Sequence, residues 1–393
     1  MKKVFLFSLF LVLGLVLSQC LPVWLGEAFL TAEKVAKTLM FVCLAFIMIN
    51  VGREFELDKT KWRSYAADYF IAMATAAVPW IMVAFYYMFL LPADLFGNWD
   101  AWKENLLLSR FAAPTSAGIL FTMLAAAGLR REWIYKKTQV LAIFDDLDTI
   151  LLMIPLQIFM IGFKWQLFAV VIVITFLLVI GWKKLGTIRL SQTWKSFLFY
   201  AVCIVAVTES IYLLTKWMMG ADGAIHIEVL LPAFVLGMVM KTVHQHGNRD
   251  EKITGMISYL FMFLVGLSTP QFIGIDHGHR ITEAVGIIAA QPMPSWEVLV
   301  VHVIVVTLLS NLGKMFPLFF YRDRQLEERL ALSVGMFTRG EVGAGIIVIA
   351  MGYNLGGPAL IISVLSLVLN LLLTGGFVVI VKRLAQQAYG LKE

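Results

Sequence analysis

Charge is scarce in this chain. Only 15% of its 393 residues are Asp, Glu, Lys or Arg, where a soluble globular domain carries roughly 25%. With 60% hydrophobic residues, that balance excludes a soluble domain and indicates a polytopic membrane protein whose surroundings are a lipid bilayer. Cysteine is equally sparse. Cys20, Cys43 and Cys203 lie in or beside apolar segments without paired spacing, which argues against a disulfide framework or a zinc site and reads as packed thiols. The net charge of +6 has no basic patch behind it. Its residues lie between apolar runs, as membrane topology requires, so nucleic acid is not an expected partner. Low-complexity tracts, soluble domains and long linkers are also missing between the spans, so regulation is expected from the membrane domain or from a separate subunit.

What is present is a series of apolar runs. The first, VFLFSLFLVLGLVLSQCLP after Met1, Lys2 and Lys3, starts like a cleavable leader. It nevertheless reaches the ~20 residues that span a bilayer, and no small-x-small triplet precedes Cys20, so it reads as a first transmembrane helix. About twelve spans result, at 4–22, 33–52, 66–91, 104–129, 134–161, 165–182, 195–219, 225–243, 254–272, 296–320, 327–352 and 358–381. Placing the N-terminus and alternate loops on one side gathers Lys2, Lys3, Arg53, Lys59, Lys61, Arg63, Arg130, Arg131, Lys136, Lys137 and most later basic residues there. The other side receives only Lys34, Lys37, Lys103, Lys164, Lys216 and Arg280. The positive-inside rule makes the rich side cytoplasmic, and both termini with it.

Composition interrupts two spans. Span four contains RFAAPTSAG at 110–118 and span eleven contains TRGEVGAG at 338–345. Proline removes a backbone donor, and clustered glycines favour irregular backbone over helix. The two spans run in opposite directions, and a pair of interrupted helices in two inverted halves points to a transporter site near the midplane. Ordinary kinks are the plainer alternative, against which the polar residues at both breaks speak.

Span five carries LAIFDDLDTILLMIP at 141–155, which sets Asp145, Asp146 and Asp148 in an apolar run. Carboxylates in hydrocarbon cost several kcal/mol and mark ion or proton pathways. Asp145 follows Lys137 by eight residues, and Lys314 precedes Arg322 by eight. At ~1.5 Å per residue, each lies about 12 Å from the cytoplasmic boundary. Equal depth makes Lys314 the expected partner of Asp145, as a static bridge or as part of a cycle. Asp146 is rotated by ~100° and addresses other partners, while Asp148 lies near the face of Asp145 in a supporting role. Arg339 and Glu341 can compensate carbonyls and half-helix ends freed by the second break, with direct ion binding by Glu341 as the alternative. The hydroxyls of Thr115 and Ser116 suit a small hard cation, or else bond back to their own helix. His226, His244, His246, His277, His279 and His302 fall in loops or at span ends; His244 and His246 are candidates for pH sensing.

The aspartate pair, the lysine in Asn311-Leu312-Gly313-Lys314 and the segment Arg339-Gly340-Glu341-Val342-Gly343 resemble the bacterial sodium/proton antiporters of the cation/proton antiporter superfamily. The GREFEL ending of span two, at 52–57, is similar to the short motif at that place in the family. The resemblance covers nearly the whole chain. It implies an all-α fold of inverted repeats with two broken crossing helices. It further implies scaffold and dimer helices at 1–64 and 195–295, ion-carrying core helices at 65–162 and 296–393, and a connecting helix at 163–194. By the same resemblance Asp146 is the principal carrier of cation and proton, Asp145 pairs with Lys314, the exchange is electrogenic, and the protein is a homodimer of the bacterial inner membrane. No cofactor is implied beyond the transported ions: H+ and Na+, with Li+ or K+ as the other choices. Asp148 and the Ala113-Pro114-Thr115-Ser116 segment depart from the family's pattern.

Two rival readings stand beside exchange. The Asp145-Asp146-Leu147-Asp148 run resembles the magnesium sites of membrane prenyltransferases, but those enzymes need a second aspartate-rich motif, and Asp94, Asp100, Asp222 and Asp276 occur singly. A sodium-coupled symporter of an organic solute would use the same kind of fold, though an aspartate pair with a buried lysine suits proton coupling better. Neither rival is a reason to expect a soluble enzyme.

Overall fold

The computed structural model describes residues 2–26, 28–54, 62–161, 166–184, 186–219, 229–240, 248–268, 286–288, 291–353 and 355–390. Among these residues fourteen α-helices follow in order: α1 (Lys2–Leu25), α2 (Ala28–Glu54), α3 (Trp62–Phe89), α4 (Trp99–Ser109), α5 (Ala117–Ala126), α6 (Trp133–Ile161), α7 (Gln166–Lys183), α8 (Trp194–Met219), α9 (Leu230–Val239), α10 (Asn248–Leu267), α11 (Trp296–Gly313), α12 (Leu326–Gly335), α13 (Glu341–Gly352) and α14 (Gly357–Tyr389). The architecture is all-helical, and among the described residues the only bridge of β type is the isolated one between Ile188 and Met240. Each of the twelve sequence spans contains helix, and two of them, α4 with α5 and α12 with α13, are broken pairs.

Among the described residues, six segments are long and apolar enough to cross a membrane: Lys34–Arg53, Arg63–Phe89, Trp99–Ala126, Trp194–Met218, Trp296–Phe319 and Gly357–Tyr389. Phe5–Leu21 and Lys252–Leu267 are shorter apolar helices. The chain is a multi-pass membrane protein. Large side chains such as Phe5, Phe70, Phe199, Trp217 and Leu312 stand exposed on these helices, as expected where lipid rather than water is the neighbour.

The residues divide into two compact units. One comprises Met1–Trp24, Lys61–Met160 and Val265–Glu393; the other comprises Leu25–Thr60 and Ile161–Leu264. In the second unit α2 packs against α8 and α9. A Cβ on Gly52 would strike the Phe234 carbonyl, and one on Gly237 would strike that of Ile49, so α2 and α9 cross backbone to backbone, the close approach that small residues allow between membrane helices. Cys43 is buried here, whereas Cys203 on α8 is exposed rather than packed.

In the first unit α3 packs against α4 and α11, and α14 receives α11 and α12. Lys137 lies inside α6 rather than in a loop. Its Nζ donates to both oxygens of buried Asp68 on α3, at 3.0 and 2.8 Å. The Tyr321 hydroxyl donates to the same carboxylate at 2.7 Å, and its ring meets that of Trp133 edge to face. These contacts hold Tyr321 at a left-handed φ of 53°, a conformation that needs such support in a non-glycine residue. Burial, with Asp68 beside it, pushes the Tyr321 phenol above its ordinary range.

Candidate functional site

The two interrupted helices meet at their breaks. Pro114 supplies no amide hydrogen, so the helix of α4 ends through a tight turn at Arg110–Ala112 and restarts at Ala117, with the Ser116 side chain accepting from the Ile119 amide. In the other segment α12 ends at Gly335 and α13 begins at Glu341. The Ser116 amide donates to the Thr338 carbonyl at 3.0 Å, and the Thr115 hydroxyl donates to the Met336 carbonyl at 3.0 Å. Each break thus supplies partners for backbone groups that the other leaves open. Gly340 is required at the crossing, since a Cβ there would lie 2.7 Å from Ser116 Oγ and 2.8 Å from Ile119 Cδ1.

Asp145 on α6 and Lys314 at the end of α11 are brought together beside this crossing. Lys314 Nζ lies 3.0 Å from Asp145 Oδ1 and 2.9 Å from Oδ2, and both side chains are fully buried. The Thr115 amide at the first break also donates to Oδ2, at 2.7 Å. Two features place Lys314. Gly313 allows α11 to abut α3, where a Cβ would strike Pro79, and Lys314 is the C-cap of α11, where the helix's carbonyl end favours a cation.

Around this pair stand the other candidates. Asp146 and Asp148 are buried, at 3% and 2% exposure, and Arg339 is fully buried. Arg339 Nη1 donates to the Met336 carbonyl at 3.2 Å and Nη2 to that of Ser310 at 3.3 Å, so it serves carbonyls of the break and of α11. Lys314 also feels the charges of Asp146 and Arg339. Glu341 opens α13; its side chain lies outside the described part of the structure, as do His226, His244, His246, His277 and His279. His302 is not at a span end but within α11, where its Nδ1 lies 2.7 Å from the Tyr86 hydroxyl. Among the described residues no three His, Cys, Asp or Glu side chains converge as a metal ion's ligands would.

The Ser116 side chain caps its own helix, the alternative that its sequence left open, whereas the Thr115 hydroxyl bridges to the other broken helix, which sequence alone did not give. Thr115→Ala is expected to destabilise the protein by about 1 kcal/mol, because Met336 retains its bond from Arg339, and to raise the apparent cation KM more than it lowers the maximal rate. Melting curves in detergent and liposome kinetics measure both; unchanged values would remove the hydroxyl from the site. In the sequence Arg110 stands only as the first residue of the interrupted RFAAPTSAG stretch, and Asp68, Tyr69 and Glu104 carry no motif. Glu104 accepts from the Ile287 and Ile288 amides at 3.2 and 2.9 Å. The available signal was the same for each, a polar group within an apolar run.

Half-helices of opposite direction that cross at their breaks, around buried carboxylates and cations in a multi-pass helical protein, define a secondary transporter rather than an enzyme. The family model described as "Sodium/hydrogen exchanger, transmembrane" matches residues 2–383. The chain belongs to that family and is a proton-coupled cation exchanger. Its fold is similar to that of the sodium proton antiporter MjNhaP1 from Methanocaldococcus jannaschii, solved at pH 8, with a TM-score of 0.57 and 14% identity over 98% of this chain and 92% of that one. No curated protein matches the sequence significantly.

Proposed function

We propose that this protein exchanges sodium for protons at Asp146, with Asp145 and Lys314 as a coupled charge pair beside it. The carrying observation is the saturation of Asp145: Lys314 binds both of its oxygens and the Thr115 amide binds Oδ2. A carboxylate so held is a poor place for cargo, which leaves its buried neighbour Asp146 to bind it. Burial penalises a bare carboxylate, and either a proton or a cation can neutralise it, so the two compete for one site. Alternate exposure of that site to the two sides then couples their flows.

In this reading the segments 65–162 and 296–393, which hold the crossed breaks, carry the ion, 1–64 and 195–295 are scaffold and homodimer surface, and 163–194 connects them. Lys314 stays charged on Asp145 while Asp146 holds the cation; when protons arrive, Asp145 takes one and the lysine is released, which makes the exchange electrogenic. The excess of basic residues on one side supports a cytoplasmic position for both termini in a bacterial inner membrane, where protons would enter and sodium would leave. Purified protein in liposomes, with internal pH followed while sodium, lithium or potassium salts are added, tests the reading. Sodium-dependent proton efflux from the vesicles without any organic solute is expected. Sodium uptake that requires a solute would establish the symporter instead.

A further inference from the structure

Arg110 is a buried cation for which the cycle above has no task. Its guanidinium is fully buried, stacked 4.4 Å over the Trp80 ring, and donates from Nη2 to the Asp148 carbonyl at 3.0 Å. Trp80 is itself fixed by a bond from Nε1 to the Leu106 carbonyl, at 2.7 Å. Arg110 Nε and Nη1 have no hydrogen-bond partner among the described residues, and neither has Asp148 Oδ2. The Tyr69 hydroxyl also faces the Asp148 carboxyl. Open donors and an open acceptor, all buried and on two residues already joined through the Asp148 carbonyl, are costly unless the charges serve each other or a ligand.

We infer that Arg110 is the resident counter-charge of Asp148, and that Asp148, held ionised by it, offers Oδ2 as a second oxygen ligand to the transported monovalent cation. The charged and titratable groups facing Asp148 are Tyr69 from α3, Arg110 from the first break, Asp145 on its own helix and Lys314 at the end of α11. Of these, only Arg110 is a cation that does not give up its proton in proteins. Lys314 can let go of Asp145 during a cycle, but Arg110 cannot be neutralised. A bare carboxylate oxygen is a hard donor of the kind an alkali cation needs when it sheds water. Arg110 acts through Asp148 and is therefore a positioning residue; Asp148 adds affinity for the cation while Asp146 carries the competition with protons.

This inference rests on the exchange reading, and its test is the apparent KM for sodium of the full-length protein in liposomes, measured over a pH series. In Arg110→Gln, protons should compete for Asp148 as well as for Asp146, so KM rises about tenfold at neutral pH and returns toward the parental value at alkaline pH. Asp148→Asn should raise KM at every pH without altering its pH dependence, and the double variant should match Asp148→Asn. A parental pH dependence in Arg110→Gln, or a double variant worse than Asp148→Asn, overturns the pairing. If Arg110→Gln alone fails to fold, adding Asp148→Asn should recover a folded protein by melting curve, and failure to recover it also counts against the pairing. Asp146→Asn in the same assay keeps the two readings apart, because exchange that survives there would refute the carrier while leaving the Arg110 signature to stand or fall separately.

Discussion

Asp146→Asn should reduce cation-dependent proton movement in liposomes to the background of empty vesicles, while the purified protein still melts close to the parent. The amide has the size of the carboxylic acid but neither releases a proton nor supplies a full negative charge to a cation. Its neighbour cannot take over, because Asp145 is bound by Lys314 through both oxygens and by the Thr115 amide. Stability should survive because Asp146→Asn removes a buried charge rather than stranding one, and a neutral buried polar group is the less costly of the two. Asp148→Asn should do less, lowering affinity and not abolishing exchange. Equal loss at both positions would make the two carboxylates joint carriers.

Lys314→Gln should destabilise the protein by about 3–5 kcal/mol, the usual result of removing one partner from a buried ion pair. Both side chains are fully buried, and Lys314 donates to each oxygen of Asp145. The Thr115 amide remains as one donor, which is too little to compensate a full charge. Asp145→Asn in the same chain should return much of the stability, because the pair is then neutralised together. Transport that remains in Lys314→Gln should respond less to an imposed membrane potential. A variant that melts like the parent and keeps its voltage dependence would mean that the pair is not part of the cycle.

Much of this site could be seen in the sequence because hydrocarbon makes charge conspicuous. Asp145, Asp146, Asp148, Lys314, Arg110 and Arg339 each stand in an apolar run, and Pro114 with the glycines near 340 marks the two breaks. Depth along ideal helices was enough to set Lys314 level with Asp145. What stayed hidden was direction. The Thr115 hydroxyl bridges to Met336 on the other broken helix, a contact across 221 residues that no local pattern encodes. The nearness of Arg110 to Asp148 depends on a turn at 110–112 and on the Trp80 ring, neither of which has a period to read. Lys137 looked like a loop charge marking the membrane boundary, but Asp68 draws it into the helix bundle. A charge at a span end has the same composition whether it meets water or a partner.

Proton release on sodium binding tests the central claim most directly, because it asks whether cation and proton share one carboxylate without requiring transport. Purified protein in weakly buffered detergent solution is titrated with sodium chloride while released protons and binding heat are followed over a pH series. If the two ions compete at Asp146, sodium binding releases protons, its apparent affinity tightens as the pH rises, and both effects vanish in Asp146→Asn. Sodium that binds without releasing protons, with an affinity indifferent to pH, would contradict the account.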